Sequence, residues 1–417
     1  MARGRWVAAV LGAALSLTAC TTGASTSSSS AAPEPSAAAT GAATPAPGTG
    51  ADVPTATTGQ AGGPSASGPR ASSSVPVRRS SRLQFTVSSR IPVPGHRGLG
   101  LVLWDGHAAW VGCGDCRGTV PGGPADVGGL FVADLDTGRV RAVARVPITT
   151  SITTVGGVGS DVVYTTSVVG KTGNAWALLA TDVATGRTRT LAQAVQRPDT
   201  PPPVAVMSDT EVVWQTFPHA PPHARHGPVT ALNLSSGNRR VLAADLPGLL
   251  TATTSAGILF RAVYPPGGDD TVPLVAGILL PDSDQMRPLS GDDVEDLVSD
   301  GKAVAWQTVA GAQAGVWAAQ LEDVDNPRLV HKGGTTGRAV GKGFLAVVTA
   351  GDFPVLLLYP LAGGPVTAVG DIPVEFAAVA AERRQLAYLA LPPNRGQEPD
   401  AKHPLTLVVG TVTPPAP

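Results

Sequence analysis

The chain has little of what marks a redox, nucleic-acid-binding or membrane-spanning protein. Only three cysteines occur in 417 residues, aromatics make up 4%, charged residues 15%, and the formal net charge is −1. No strong field exists to gather a polyanion, and no basic stripe interleaves with aromatics, so nucleic acid is not an expected partner. The sequence lacks a Gly-x-Ser-x-Gly elbow, since Ser160 in Gly157-Val158-Gly159-Ser160-Asp161 lies at a repeat turn. Gly170-Lys171-Thr172 ends like a phosphate loop, but Thr165 stands where the opening glycine belongs. Long apolar runs are missing as well. The apolar segment near the start, Trp6 to Leu17, is about a dozen residues, too short to cross a bilayer as a stable helix.

What is present at the start reads as a targeting signal. Arg3 and Arg5 form a positive n-region, Trp6 to Leu17 its apolar core, and the run ends in Leu17-Thr18-Ala19-Cys20. This tetrapeptide resembles the lipobox of bacterial lipoproteins. The resemblance implies a signal peptide over residues 1–19, cleavage before Cys20 and a diacylglyceryl group on its thiol. Two or three acyl chains, at about 0.8 kcal/mol per buried methylene, would hold the protein at a membrane where one chain binds only marginally. The expected location is the extracytoplasmic face of a cell membrane. Residues 20–81 are Ser, Thr, Ala, Gly and Pro with almost no large apolar side chain, a composition expected to stay disordered as a stalk or linker. A flexible coil of about 60 residues spans roughly 40–45 Å.

From residue 82 to 413 the chain carries short β-type runs separated by Gly, Pro, Asp and Asn, and no helical stripe persists for three turns. A two-part phrase recurs at about 40–50 residues, the period of propeller blades. Its first part is a polar turn leading to a strand with a central aromatic. Asp105-Gly106 leads to Trp110, Ser160-Asp161 to Tyr164, Ser208-Asp209 to Trp214, Ala256-Gly257 to Phe260 and Asp300-Gly301 to Trp306. Gly343 to Val347 and Arg384 to Tyr388 complete seven copies. The second part is a hairpin whose turn carries Asp136-Thr137-Gly138, Ala184-Thr185-Gly186 or Ser235-Ser236-Gly237, and later copies turn at 282–284, 323–326 and 362–364. Six such hairpins leave the last copy one strand short. Leu83 to Ile91, with Leu83, Phe85 and Val87 alternating, matches the missing strand and could close the ring. The expectation is an all-β, seven-bladed propeller closed by an N-terminal strand, with Trp110, Trp214 and Trp306 packing blades and 414–417 a short tail.

Phrases such as Val132-Ala133-Asp134-Leu135-Asp136-Thr137-Gly138-Arg139-Val140 resemble the bacterial WD-like and TolB-like β-propellers. In such propellers the loops from the second to the third strand line one face of the channel, which the resemblance makes the place to look for chemistry. One such loop holds Cys113-Gly114-Asp115-Cys116. In an exported domain a Cys113–Cys116 disulfide is the expected state, shaping the loop and adding little to global stability because so short a ring is closed. Thioredoxin-like reactivity would need a helix N-terminus, zinc a second ligand pair, and haem attachment a histidine where Arg117 stands.

A second loop carries His219, His223 and His226, whose spacing suits one helical face, but Pro221 and Pro222 oppose a helix. These imidazoles could meet a transition metal only if the backbone folded back on itself. A third loop carries Asp269 and Asp270, and Asp292, Asp293, Glu295 and Asp296 add acidic density read as a surface charge run, without the spacing of a calcium loop. No metal or cofactor is expected, and these five His and Asp residues stand as candidate ligand-binding groups. The leading expectation is a monomeric, membrane-tethered binding or scaffold module for a protein, peptide or cell-wall ligand. Two alternatives remain: a lyase, hydrolase or cofactor-dependent dehydrogenase in which the histidines converge with Asp269 or Asp270, and a TolB-like accessory of transport or assembly.

Overall fold

The computed structural model describes residues 82–93, 98–113, 127–147, 150–169, 173–197, 200–218, 226–261, 276–281, 285–289, 294–308, 314–351, 354–369, 374–390 and 405–414. Residues 1–81, which carry the expected signal and linker segments, lie outside them. Apart from a single-turn 3-10 helix at Leu321–Asp323, every described element is a strand. The strands form seven antiparallel four-stranded sheets. Blades 1 to 6 occupy 98–147, 150–196, 204–246, 249–288, 294–332 and 335–368. Blade 7 takes three strands from 374–413 and its fourth from Gln84–Pro92. First strands of successive blades touch all the way round, blade 7 against blade 1 included, so the ring is closed around them.

The repeat phrase now has a packing reason. Seven clusters of buried apolar side chains lie between the blades, one for each interface. Each receives the central residue of a second strand: Trp110 between blades 7 and 1, Tyr164 between 1 and 2, Trp214 between 2 and 3. Phe260, Trp306 and Tyr388 fill the 3/4, 4/5 and 6/7 interfaces. A large planar ring fills the wedge between two twisted sheets, and its burial contributes several kcal/mol per interface, with about 25 cal/mol for each Å² of apolar surface removed from water. Trp110 and Trp306 are 0% exposed and Trp214 2%. Blade 6 departs from the pattern with Val347, leaving the 5/6 interface the smaller wedge.

The alternation expected along the closing strand holds only for its first half. Residues 84–87 pair with Thr413 to Gly410 and 89–92 with Val409 to Thr406, so Ser88 is an extra residue in the ladder. This bulge reverses which face of the sheet each residue sees. Leu83 and Phe85 therefore pack into the 6/7 interface, whereas Ile91, followed by Val93, packs into the 7/1 interface. Val87, the last residue of the expected alternation, is 38% exposed. One strand thereby seals both sides of blade 7, and Ser88 Oγ donates to Val409 O at 3.2 Å across the break.

Candidate functional site

The loops from second to third strands, where chemistry was expected, lie wholly or in part outside the described residues. Cys20, Cys116, His219, His223, Asp269 and Asp270 lie there too. Cys113 ends the second strand of blade 1, with its backbone opposite Gly128. His226 is described, and its Nδ1 is 2.8 Å from Asp245 Oδ1 at the loop-face end of blade 3, where both side chains are exposed. Among the described residues no group of three or more His, Cys, Asp or Glu side chains is placed to hold a metal ion.

Asp296 is more than part of a surface charge run. Its Oδ2 lies 2.5 Å from the guanidinium of Arg338, a side chain only 5% exposed. Arg338 also donates to Gln307 Oε1 and Thr335 Oγ1. Further out along the same interface, His331 Nδ1 meets the Tyr359 hydroxyl at 2.8 Å, and Arg328 donates to Pro360 O at 2.8 Å. Burial lowers the pKa of His331 and raises that of Tyr359, because each charged form would be partly desolvated. The 5/6 interface, which lacks an aromatic wedge, is thus joined by hydrogen bonds and an ion pair. A related brace spans blades 3 and 4, where buried Gln215 donates to Gly248 O at 2.7 Å and accepts from Leu250 N–H at 2.9 Å. Trp214-Gln215 and Trp306-Gln307 are the same dipeptide at the same place in two blades, a signal legible in the sequence that the aromatic alone did not reveal.

The opposite face carries the tight turns. The outer hairpins of blades 1 to 3 share one construction: Asp134, Asp182 and Asn233 each accept the backbone N–H three residues on, at 2.9, 2.6 and 2.9 Å. Gly138, Gly186 and Gly237 follow at φ of 69°, 73° and 74°, the left-handed conformation glycine adopts without strain. Ser160 Oγ and the Thr185 N–H and hydroxyl donate to Asp182 and hold its carboxyl down to about 2, and the Thr137 N–H lowers Asp134 likewise. Nearer the channel, Asp105 Oδ2 accepts from Gly159 N–H at 2.9 Å and Trp104 Nε1 donates to Gly159 O at 3.1 Å, tying the inner turns of blades 1 and 2.

A cavity of about 430 Å³ opens on this face where the inner turns of blades 6, 7 and 1 meet. Asp105, Lys342, Glu382, Arg383 and Arg384 line it with Gly106 and Gln385. Lys342 N–H donates to Arg383 O at 2.5 Å, so the blade 6 and blade 7 turns are joined by their backbones. Arg383 sits at φ 52°, where Gly343 occupies the corresponding turn of blade 6 at φ 84°. The sequence offered Arg384 only as the start of a repeat strand, and nothing in the linear pattern set it or Arg383 beside Lys342.

These features define a velcro-closed, seven-bladed β-propeller. No protein-family model matches the sequence, and no curated protein matches it either. Among solved structures, the propeller domain of the trilobed protease from Pyrococcus furiosus superposes with a TM-score of 0.50 at 8% identity, over 79% of this chain and 96% of that one. That domain is described as having an open velcro topology, in contrast to the paired closing strand here. Pyrococcus horikoshii acylaminoacyl peptidase gives a TM-score of 0.48 at 10% identity over 71% of this chain, which spans about half, 49%, of the peptidase. A manganese-bound oligogalacturonate lyase gives 0.42 at 12% identity, covering 76% of this chain and 77% of that one. At such identities the likeness is one of fold alone.

Proposed function

We propose that the protein is an envelope lipoprotein, held by Cys20 at the extracytoplasmic face of a membrane, whose propeller is a non-catalytic binding module. One observation carries the binding reading. Four arginines elsewhere on the described frame are held by carboxylates, in the pairs Arg189–Asp161, Arg240–Glu211, Arg287–Asp325 and Arg338–Asp296. Lys342, Glu382, Arg383 and Arg384 instead share a cavity without a side-chain partner among the described residues. Charge kept available in a rigid concave site suits recognition, and a closed ring holds that site without a conformational step. The anchor reading is supported by Leu17-Thr18-Ala19-Cys20 behind its short apolar core.

The experiment is fractionation of cells expressing the chain and its Cys20→Ala variant, followed by crosslinking to envelope components. The parent should sediment with membranes, the variant should not, and crosslinking should capture a partner in a manner reduced by substitutions in the cavity. Equal sedimentation would refute the anchor, and capture indifferent to the cavity would refute the binding site.

A further inference from the structure

The turn face of the propeller is uneven in charge. The outer turns of blades 1 and 2 mix signs, with Asp134, Asp136 and Asp182 beside Arg139 and Arg187, and the inner turns of blades 1 and 3 carry Asp105 and Asp209. The inner turns of blades 6 and 7, by contrast, present Lys342, Arg383 and Arg384 to one cavity. The backbone hydrogen bond from Lys342 to Arg383 fixes two of these cation-bearing residues side by side, although like charges at such range repel. Of the two carboxylates, Asp105 already accepts the Gly159 N–H. Two carboxylates face three cations, so the lining keeps one net positive charge that an entering anion would neutralise.

We propose that this cavity binds a phosphate-type oxyanion, a phosphomonoester or inorganic phosphate. The proposal deepens the binding-module reading and rests on it, while being independent of the lipid anchor. A carboxylate is satisfied by a single guanidinium fork. A tetrahedral dianion has oxygens for donors arriving from several directions, and here one ammonium comes from blade 6 and two guanidinia from blade 7. Asp105 on the blade 1 side repels an anion and so directs it towards those three groups.

The test is calorimetric titration of the full chain with inorganic phosphate, glycerol 3-phosphate and acetate, at low and high salt. Phosphate or the ester should saturate with a Kd below about 10 mM, weaken as salt rises, and exceed acetate by about tenfold. The tighter of the two phosphates identifies whether the free ion or an ester is the ligand. Arg384→Gln and Lys342→Gln should each weaken binding about tenfold, the loss of one charge-assisted hydrogen bond. Arg383→Gly removes a cation while giving its left-handed turn the residue best suited to it, so it should lose affinity with no loss of thermal stability. Lys302→Gln, on the blade 5 turn outside the cavity, should bind as the parent does. Absence of saturation, acetate binding as tightly as phosphate, or cavity variants that match the parent would each overturn the proposal. Membrane release of Cys20→Ala is read separately, so failure of the anchor and failure of this site remain distinguishable.

Discussion

The closing strand can be tested through the single residue that turns it over. Leu83 is 2% exposed within the 6/7 interface and Ile91 3% exposed within the 7/1 interface, and between them Ser88 is the extra residue that reverses the faces. Truncating either buried side chain to alanine removes apolar burial and leaves a cavity, at a cost of about 2–5 kcal/mol. The two sites lie in different interfaces, so a Leu83→Ala/Ile91→Ala double variant should lose the sum, about 4–10 kcal/mol. That is comparable with the roughly 5–15 kcal/mol that stabilises a typical folded protein. With about 1.5 °C per kcal/mol for a domain of this size, Ile91→Ala should lower Tm by about 3–7 °C. Val87→Ala is the internal control: the side chain is 38% exposed, and its change should stay within about 0.5 kcal/mol. Deleting Ser88 is the sharper perturbation. The deletion removes no buried apolar atom, yet it restores simple alternation and turns one half of the strand away from its interface. It should therefore cost at least as much as Ile91→Ala. Thermal unfolding of the full chain, followed by tryptophan fluorescence and circular dichroism, measures all four. If Val87→Ala and Ile91→Ala shift Tm equally, or the Ser88 deletion is neutral, the strand does not close the ring in the way described.

Other expectations follow from the polar braces and the anchor. Gln215→Leu should destabilise by about 2–4 kcal/mol in denaturant titrations, because it leaves the buried Leu250 N–H and Gly248 O without their partner. His331 has a folded pKa depressed below 6.5 by burial, so the unfolded chain binds its proton first as pH falls. The stability it supports is complete above pH 6.5 and declines as pH drops from there towards the folded pKa. Comparing Tm at pH 7.5 and 5.5, His331→Gln should show a smaller acid loss than the parent; an unchanged difference would contradict this. Asp182 acts at lower pH: its contribution is present above the usual carboxylate range and disappears as pH falls through about 2. Asp182→Asn should accordingly flatten the parent's acid-unfolding curve below about pH 4. Cys20→Ala should leave the membrane fraction, as stated above.

The seven blades were legible because each second strand must place one large side chain in the wedge against the preceding blade, and that demand writes an aromatic at a regular interval. Val347 escaped the aromatic pattern but kept the Lys342-Gly343 turn before it, so the count survived. The missing outer strand was legible for the same reason: six hairpins and a remainder require a partner from elsewhere in the chain. Neither the bulge at Ser88 nor the ion pair of Asp296 could be read in advance. A bulge depends on which residues the partner strand opposes, and Asp296 looked like surface charge because Arg338 is 42 positions away.

Sequence by itself determined the periodicity, the hairpin turns and the fold class, since these depend on local conformational preference and on which side chains avoid water. Charge placement was decided only by the tertiary structure. Closing the ring brings Asp105 of blade 1 to the same cavity as Lys342 of blade 6 and the two arginines of blade 7. These turns are far apart along the chain and adjacent only because the first strands meet in a circle. Electrostatics responds to distance in space, and a closed ring sets that distance by blade order, with the first blade returned to the side of the last.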